Sequence, residues 1–274
     1  MNDDIFFSDD CHELIRVVID QLSEDLCTCS KLQPNQKMMD LDSMPFLAAA
    51  NYSWNQHIAK NNSFITEEFC GQLVSTIECS VCRTKRYAFD PFYDLSIPFP
   101  EPEDLPGGSD QRRSSRFPFP LHIDRELSSC SLNDCINAFT KPEVLAGDNM
   151  TDCPTCKQKR ESTKRLQVYR FPRILVVHLK RFDNHKKKLR ASIDFPLVGF
   201  DATALSMDNR EHPVYDLFAT CEHSGRLNHG HYTATCLDPM SKSWYHFNDN
   251  YVSRADPKDI DKDAVYVLFY KHRS

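Results

Sequence analysis

Two pairs of cysteines constrain this chain more than any other feature of its sequence. Cys79-Ser-Val-Cys82 and Cys153-Pro-Thr-Cys156 both have the CxxC spacing with which a tight turn sets two thiolates on one metal ion. Together they offer a complete tetrahedral set of sulfur ligands for zinc, so the predicted role of the metal is structural. The alternatives are a redox CxxC or unrelated buried cysteines, and the presence of two pairs favours zinc over both.

The composition excludes two classes of function. Hydrophobic residues make up 41% and charged residues 26% of the 274 positions, as in a soluble globular protein. The net charge of -6 would not attract a phosphate backbone, so no nucleic-acid partner is expected. No run approaches the roughly 18 apolar residues that span a bilayer, and the opening MNDDIFFSDD does not resemble a signal peptide. We therefore expect no membrane association and a cytoplasmic or nuclear location, where cysteines more often bind metal than form disulfides.

Helical periodicity is clearest near the start of the chain. Residues 10–26 have apolar side chains at helical spacing, with Asp10 and Glu13 placed as a capping pair. Weaker periodicity occurs at 46–50, within a stretch whose structure the sequence leaves uncertain. Ser131 precedes a short amphipathic segment and is predicted to cap a helix there.

Extended structure is predicted for most of the remaining chain. Apolar and aromatic residues at 72–79 and 86–92 predict a hairpin around the first cysteine pair. Residues 99–120 are rich in proline and hold a double glycine, which predicts a linker or loop. Several later β-branched or aromatic runs predict an antiparallel sheet in the C-terminal half: LQVYRF, ILVVHLKRF, VYDLFATC, HYTATCL, WYHFN and AVYVLFY.

Two polar segments near the C-terminus contain the residue types of thiol catalysis. His231 follows Asn228-His-Gly at the head of one predicted strand, and Asn248 and Asp249 end another. On adjacent strands, an imidazole would take a thiol proton while an amide or carboxylate held the ring in the useful tautomer. Taken by itself, the pattern fits a surface or core histidine better, because the chain has 11 histidines.

In combination, these segments resemble the ubiquitin-specific proteases, the ubiquitin carboxyl-terminal hydrolase family. HGHYTA resembles the histidine box of that family, and WYHFND, ILVVHLKRF, the CxxC pairs and AVYVLFY resemble its other motifs in the same order. SDDCHEL, at residues 8–14, resembles the family's QQDAxEFL-like helix start. The resemblance runs from about residue 8 to Tyr270.

The resemblance implies an α+β, papain-like cysteine protease fold of the fingers, palm and thumb type. The thumb would be largely missing, the fingers zinc-ribbon-like and the palm an antiparallel β-rich sheet. The implied parts of this single incomplete domain over residues 1–274 are residual thumb helices at about 8–62, fingers at about 70–98 and 150–170, a linker at 99–130, and a palm with the histidine box at about 171–274.

The same resemblance implies a chemistry. His231 would be the general base, Asn248 the residue that orients it, and Asp249 a polar neighbour assisting the site. The four CxxC cysteines would hold a structural Zn²⁺. The implied partners are ubiquitin and ubiquitinated proteins, and the implied reaction is hydrolysis of thioester or isopeptide bonds at the C-terminal glycine of ubiquitin.

The match to the family breaks at the nucleophile. In the family a GNTCYxN-like box precedes the helix start, and no cysteine of this chain has that context, so we expect the chain to be inactive. Cys11 lies near a helix N-terminus, but Asp9 and Asp10 oppose a lowered thiol pKa.

Ser8 and Asp9 replace the family's glutamine pair, which predicts weaker binding of the ubiquitin tail. His229 stands where many members have glycine, which predicts an altered loop before His231.

Three functions therefore stay open at the level of sequence. The first is a deubiquitinase represented by a fragment, the second is a catalytically inactive ubiquitin-binding protein, and the third is a zinc-ribbon interaction module unrelated to ubiquitin. Without the rest of a thumb, the helix at 10–26 is also expected to expose apolar surface.

Overall fold

The computed structural model describes residues 10–29, 39–101, 104–105, 127–182, 187–208, 212–226 and 229–273. Most of the predicted linker at 99–120 lies outside these residues, as do Ser8, Asp9 and Asn228. No helix within the described ranges is long and apolar enough to cross a membrane.

The helices are α1 (Cys11–Asp25), α2 (Phe46–Asn61), α3 (Phe64–Phe69) and α4 (Leu132–Thr140). Asp10 caps α1 as predicted, since its carboxylate accepts the His12 backbone N–H at 2.8 Å. Helix α2 is longer than the segment with helical periodicity at 46–50. The periodic signal is weak because the helix buries only the small side chains of Ala49 and Ala50. The predicted cap of α4 is confirmed as a full capping box between Ser131 and Asp134.

The strands form two main sheets. The first has the order β2-β1-β8-β5, and the second has eight strands, seven of them in the order β15-β14-β13-β12-β16-β9-β3, with β11 beside β12. The bounds are β1 Gly71–Cys79, β2 Lys85–Phe92, β3 Leu95–Ile97, β4 Ser129–Ser131, β5 Glu143–Leu145, β6 Thr151–Cys153, β7 Gln158–Arg160, β8 Ser162–Arg170, β9 Ile174–Leu179, β10 Ser192–Asp194, β11 Phe200–Asp201, β12 Val214–Arg226, β13 His229–Leu237, β14 Trp244–Asn248, β15 Tyr251–Ala255 and β16 Val265–His272. The predicted hairpin around the first cysteine pair is the antiparallel β1–β2 pair.

Strand β3 departs from the antiparallel pattern expected of the larger sheet. It pairs in parallel with β9, so the residues at 95–97 belong to the larger sheet rather than to the sheet that contains β1 and β2. Side-chain alternation is the same for either strand direction, so sequence periodicity could not reveal this pairing.

The larger sheet is buried on both faces. One face packs on the main core with α4 through residues such as Leu175 and Leu179, whereas Val176 and Tyr266 on the other face lie under α1. Burial from both sides explains why β9 reads as the nearly continuous apolar run ILVVHL. The sheet thus places the start of α1 against the strands that carry the histidine box.

Arg181 fastens the end of β9 to two loops. Its side chain is fully buried and donates to the carbonyls of Val265, Leu189, Ala191 and Lys262. Burial lowers the pKa of its guanidinium to about 10. Within the described part of the chain, its hydrogen bonds go to backbone carbonyls rather than to a carboxylate.

Replacing Arg181 by methionine is expected to lower the free energy of unfolding by about 3–5 kcal/mol, because the buried carbonyls lose their donors. The matched control is Arg173→Met, which removes an exposed ion pair with Glu68 and should change stability much less, because solvent screens that pair. Urea denaturation of both variants measures the difference. Equal effects would contradict the role assigned to Arg181.

The buried His178 makes stability depend on pH. Its ring stacks on that of His12 at 3.8 Å, and burial, followed by the His12 charge, lowers its pKa to about 4. Because the folded pKa lies below the unfolded value of about 6.5, acid favours the unfolded state. Stability should fall by about 2–3 kcal/mol between pH 6.5 and 4. Burial also lowers the pKa of His57 and His223, which adds to this loss, whereas the raised pKa of Glu222 opposes it. Denaturation curves should show a shallower pH slope for His178→Phe, and an unchanged slope would contradict the assignment.

Candidate functional site

The two CxxC pairs meet at one point, as the sequence predicted. The β1–β2 turn supplies Cys79 and Cys82, the β6–β7 hairpin supplies Cys153 and Cys156, and all four sulfurs lie within 4.8 Å of one another. The Sγ atoms of Cys82 and Cys153, which are 71 positions apart in the chain, are separated by 3.4 Å. Sulfurs on a tetrahedral zinc with Zn–S bonds of about 2.3 Å lie about 3.8 Å apart. The spacing and the thiol donors therefore fit a zinc ion.

The backbone of each pair has the same local geometry. Arg83 and Lys157 each donate their backbone N–H to the carbonyl of the first cysteine of the pair, at 3.0 and 2.8 Å. Both residues adopt a left-handed φ, 60° and 57°. Two matching turns thus present the four thiols from facing hairpins.

A second polar group lies at the ends of β13 and β14. His231 Nε2 is 2.7 Å from Asn248 Oδ1, and Asp249 Oδ2 lies 4.0 Å from the same nitrogen. The antiparallel pairing of the two strands produces this approach. Because Nε2 is bonded to the amide oxygen, it carries the proton, and Nδ1 is left as the nitrogen that can accept one.

The backbone beside His231 is shaped by a histidine that the sequence did not single out. The ring of His223 is 1% exposed, and its Nε2 would lie 1.9 Å from a Cβ added to Gly230. Its Nδ1 is buried without a hydrogen-bond partner among the described residues. Gly230 is therefore required for close approach, and this glycine is the only signal in the sequence that points to His223.

Replacing Gly230 by alanine should lower the unfolding free energy by about 1–3 kcal/mol, because the new Cβ forces the His223 ring from its site. The double variant Gly230→Ala/His223→Ala removes the clash and should be no less stable than His223→Ala alone. Thermal denaturation of the three variants checks this. Additive losses in the double variant would show that the clash is not the cause.

Helix α1 contacts the histidine box directly. The Tyr266 hydroxyl donates to Asp10 at 2.7 Å, and Cys11 and Tyr232 both pack against the cluster of Val176, Tyr266 and Val267. The start of α1 therefore lies against the residue that follows His231. His229 lies within β13 without a left-handed φ.

All twelve cysteines lie in the described residues as free thiols, and no hydrogen bond joins any of their sulfurs to His231 in that part of the chain. Cys70 does face an imidazole, with its Sγ 3.5 Å from His57 Nε2. Burial raises the pKa of Cys70 to about 12 and lowers that of His57, so both groups stay neutral. This pair consequently lacks an activated thiolate.

The outer face of α1 is exposed, as expected. Its apolar side chains are 43% to 53% exposed, and only Ile19 is buried: the exposed residues are Leu14, Val17, Val18, Leu22 and, at the end of the helix, Leu26. Such a stripe marks a surface that can accept another polypeptide segment.

An imidazole bonded to an amide at the edge of a sheet, next to a helix start, is the arrangement in which papain-like thiol hydrolases hold their general base. The model for the family Ubiquitin carboxyl-terminal hydrolase matches residues 3–270. The chain belongs to the ubiquitin carboxyl-terminal hydrolase family.

Several ubiquitin carboxyl-terminal hydrolases are similar to this chain over most of its length. Ubiquitin carboxyl-terminal hydrolase 2 of Gallus gallus is 32% identical over 265 residues, which cover 96% of this chain and 68% of the relative. The human hydrolase of the same name has the same identity, but the match covers 40% of its length. Human ubiquitin carboxyl-terminal hydrolase 21 is 37% identical over 225 residues, which cover 81% of this chain and 36% of the relative. The chain thus spans well under half of the human relatives.

Solved structures confirm the fold. A chain of the SAGA Ubp8/Sgf11/Sus1/Sgf73 DUB module matches with a TM-score of 0.67 at 24% identity, covering 98% of this chain and 52% of that one. A form of that module bound to monoubiquitin matches with a TM-score of 0.62 at 25% identity, covering 83% and 46%. The fold is therefore the α+β papain-like fold of the ubiquitin-specific proteases.

Proposed function

We propose that this chain is the zinc-bearing, histidine-carrying part of a ubiquitin-specific cysteine protease domain. The domain would hydrolyse thioester and isopeptide bonds at the C-terminal glycine of ubiquitin. The observation that supports this most strongly is the 2.7 Å contact between His231 Nε2 and Asn248 Oδ1. That contact holds the ring in the tautomer whose Nδ1 can take a thiol proton.

In this proposal each polar group has one role. His231 is the general base, Asn248 orients it, and Asp249, whose exposed carboxylate lies 4.0 Å from Nε2, is a polar neighbour that assists the site. The nucleophile comes from a polypeptide segment outside this sequence, and that segment would cover the exposed apolar face of α1. The chain by itself would then be inactive.

The four CxxC cysteines would hold a structural Zn²⁺. Four thiolates fill a tetrahedral site and leave no position for a substrate, so the ion supplies cross-linking rather than catalysis. It would fasten the fingers, which we assign to the sheet of β1, β2, β5 and β8 with the β6–β7 hairpin. The larger sheet would be the palm, and α1 and α2 would belong to the thumb.

Ubiquitin is the proposed partner. The related DUB module bound to monoubiquitin supports this choice. The alternative is a ubiquitin-binding protein that does not cleave, and it is favoured by the absence of a cysteine hydrogen-bonded to His231 in the described residues. The two differ only in whether a nucleophile-bearing segment joins this chain.

Titration of ¹⁵N-labelled ubiquitin with the zinc-loaded chain tests the proposal. We expect chemical-shift changes that include the C-terminal tail of ubiquitin, and no release of fluorophore from a ubiquitin-tail substrate. Adding a segment with a GNTCYxN-like box, in trans or by fusion, should restore hydrolysis if the chain is a protease part. Binding without restoration would favour the non-cleaving alternative. Unchanged ubiquitin spectra would overturn both and leave a zinc-ribbon module.

A further inference from the structure

The start of α1 and strand β12 face each other with two thiols. Cys11 Sγ lies 3.1 Å from Cys221 Sγ, although the residues are 210 positions apart in the chain. Both are partly exposed free cysteines. A disulfide bond is about 2.05 Å long, so about 1 Å of further approach would join the sulfurs.

We propose that Cys11 and Cys221 form a reversible disulfide that clips α1 to the sheet carrying the histidine box. The oxidant is a small-molecule disulfide such as oxidised glutathione. One cysteine thiolate attacks the glutathione disulfide, expels one glutathione thiolate and forms a mixed disulfide. The second cysteine thiolate then attacks the cysteine sulfur of that mixed disulfide and expels the second glutathione thiolate. In total, the two cysteine S–H bonds and the glutathione S–S bond are broken, and the Cys11–Cys221 disulfide and two glutathione S–H bonds are formed. The two protons of the cysteines therefore end on the two glutathiones.

The 3.1 Å separation lets either thiol open the exchange while the other resolves the mixed disulfide. A hydrogen bond with Cys221, burial and the Asp10 carboxylate all raise the pKa of the Cys11 thiol, which disfavours its thiolate in the reduced pair. A thiol held next to its partner closes quickly because its effective concentration is high.

Other thiol pairs are less suited to this exchange. Cys130 and Cys135 are 3.7 Å apart, but both are buried in the core beside α4, where a small disulfide cannot reach them. The four CxxC thiols are the proposed zinc ligands, so they are not available for this exchange. Among the described residues, Cys11 and Cys221 are thus the pair of facing thiols that is partly exposed and lies outside the four-cysteine cluster.

The position of the pair means that a disulfide would restrain α1 next to the strand that carries His231. Within α1 itself, from Cys11 to Asp25, only Ile19 is buried, and the helix leaves its outer apolar face exposed. Cys11 also packs against the same hydrophobic cluster as Tyr232, the neighbour of His231. Oxidation would therefore hold α1 on the sheet at the point where it meets the candidate base.

The test treats the zinc-loaded full chain with oxidised glutathione, while a chromogenic chelator reports any zinc release. Cys27 and Cys29 are replaced by serine, so that these thiols of the segment after α1 do not react. We expect a mass loss of two hydrogens, a cross-linked peptide joining residues 11 and 221, and slower amide exchange in α1 that a reductant reverses. Cys221→Ser should abolish the cross-link and the slowing, whereas Cys130→Ser should keep both.

A stable glutathione adduct on residue 11 or 221 without a cross-link would overturn the proposal. So would a cross-link that leaves amide exchange in α1 unchanged. Cys11→Ala supplies a second variant of small volume, so a folding failure of Cys221→Ser does not remove the control.

Discussion

Replacing Cys153 by serine, or stripping the metal with a chelator, is expected to cost several kcal/mol of stability, on the order of 5. The β6–β7 hairpin has three-residue strands and pairs with no other strand among the described residues. Among the described residues, the shared sulfur site and a 2.9 Å hydrogen bond between the hydroxyls of Thr84 and Thr155 attach it to the β1–β2 turn. Without the metal, amides at 79–85 and 151–160 should lose their protection against hydrogen exchange.

The larger sheet provides the internal reference for that experiment. Strands β9 and β16 are buried in a core that does not include the four sulfurs, and their amides should stay protected. Cys236→Ser is the matched control, because it removes a partly buried thiol outside the cluster. Retained protection at 151–160 in the metal-free chain would contradict the structural role of zinc.

Replacing His231 by alanine is expected to lower the rate of ubiquitin-tail hydrolysis at least about 10³-fold, once a nucleophile-bearing segment has restored activity. The loss follows because no other imidazole lies against Asn248 in the described residues. His229→Ala is the control, since that exposed side chain stands two positions earlier on the same strand. Its rate should change little.

Variants at Asn248 separate orientation from basicity. Asn248→Asp keeps an acceptor 2.7 Å from Nε2 and should retain most of the rate, whereas Asn248→Ala should lose about 10²-fold or more, because the ring is no longer held in one tautomer. A fluorogenic ubiquitin substrate measures all four variants. Equal rates for His231→Ala and His229→Ala would contradict the assignment of the base.

Sequence reasoning predicted those parts of the site that depend on short, chemically specific spacing. The CxxC turns, the Asp10 cap and the strands before Asn248 each follow from a few neighbouring residues. Helix α2 was missed in most of its length because it buries only Ala49 and Ala50, which leave no strong periodic signal.

Features that depend on contacts between distant residues were beyond reach. The parallel pairing of β3 leaves no mark in its three residues. The fit of His223 against Gly230 and the approach of Cys11 to Cys221 arise only when β12 is placed beside β13 and α1. Sequence supplies the residue types for such contacts, but the chain path supplies the distances.

The most direct test of this account is the intact mass of the zinc-loaded chain after incubation with ubiquitin bearing an electrophile in place of its C-terminal carboxylate. We expect no added mass, because His231 has an orienting amide but no cysteine sulfur hydrogen-bonded to it among the described residues. A covalent ubiquitin adduct on any of the chain's own cysteines would contradict the claim that the nucleophile lies outside this sequence.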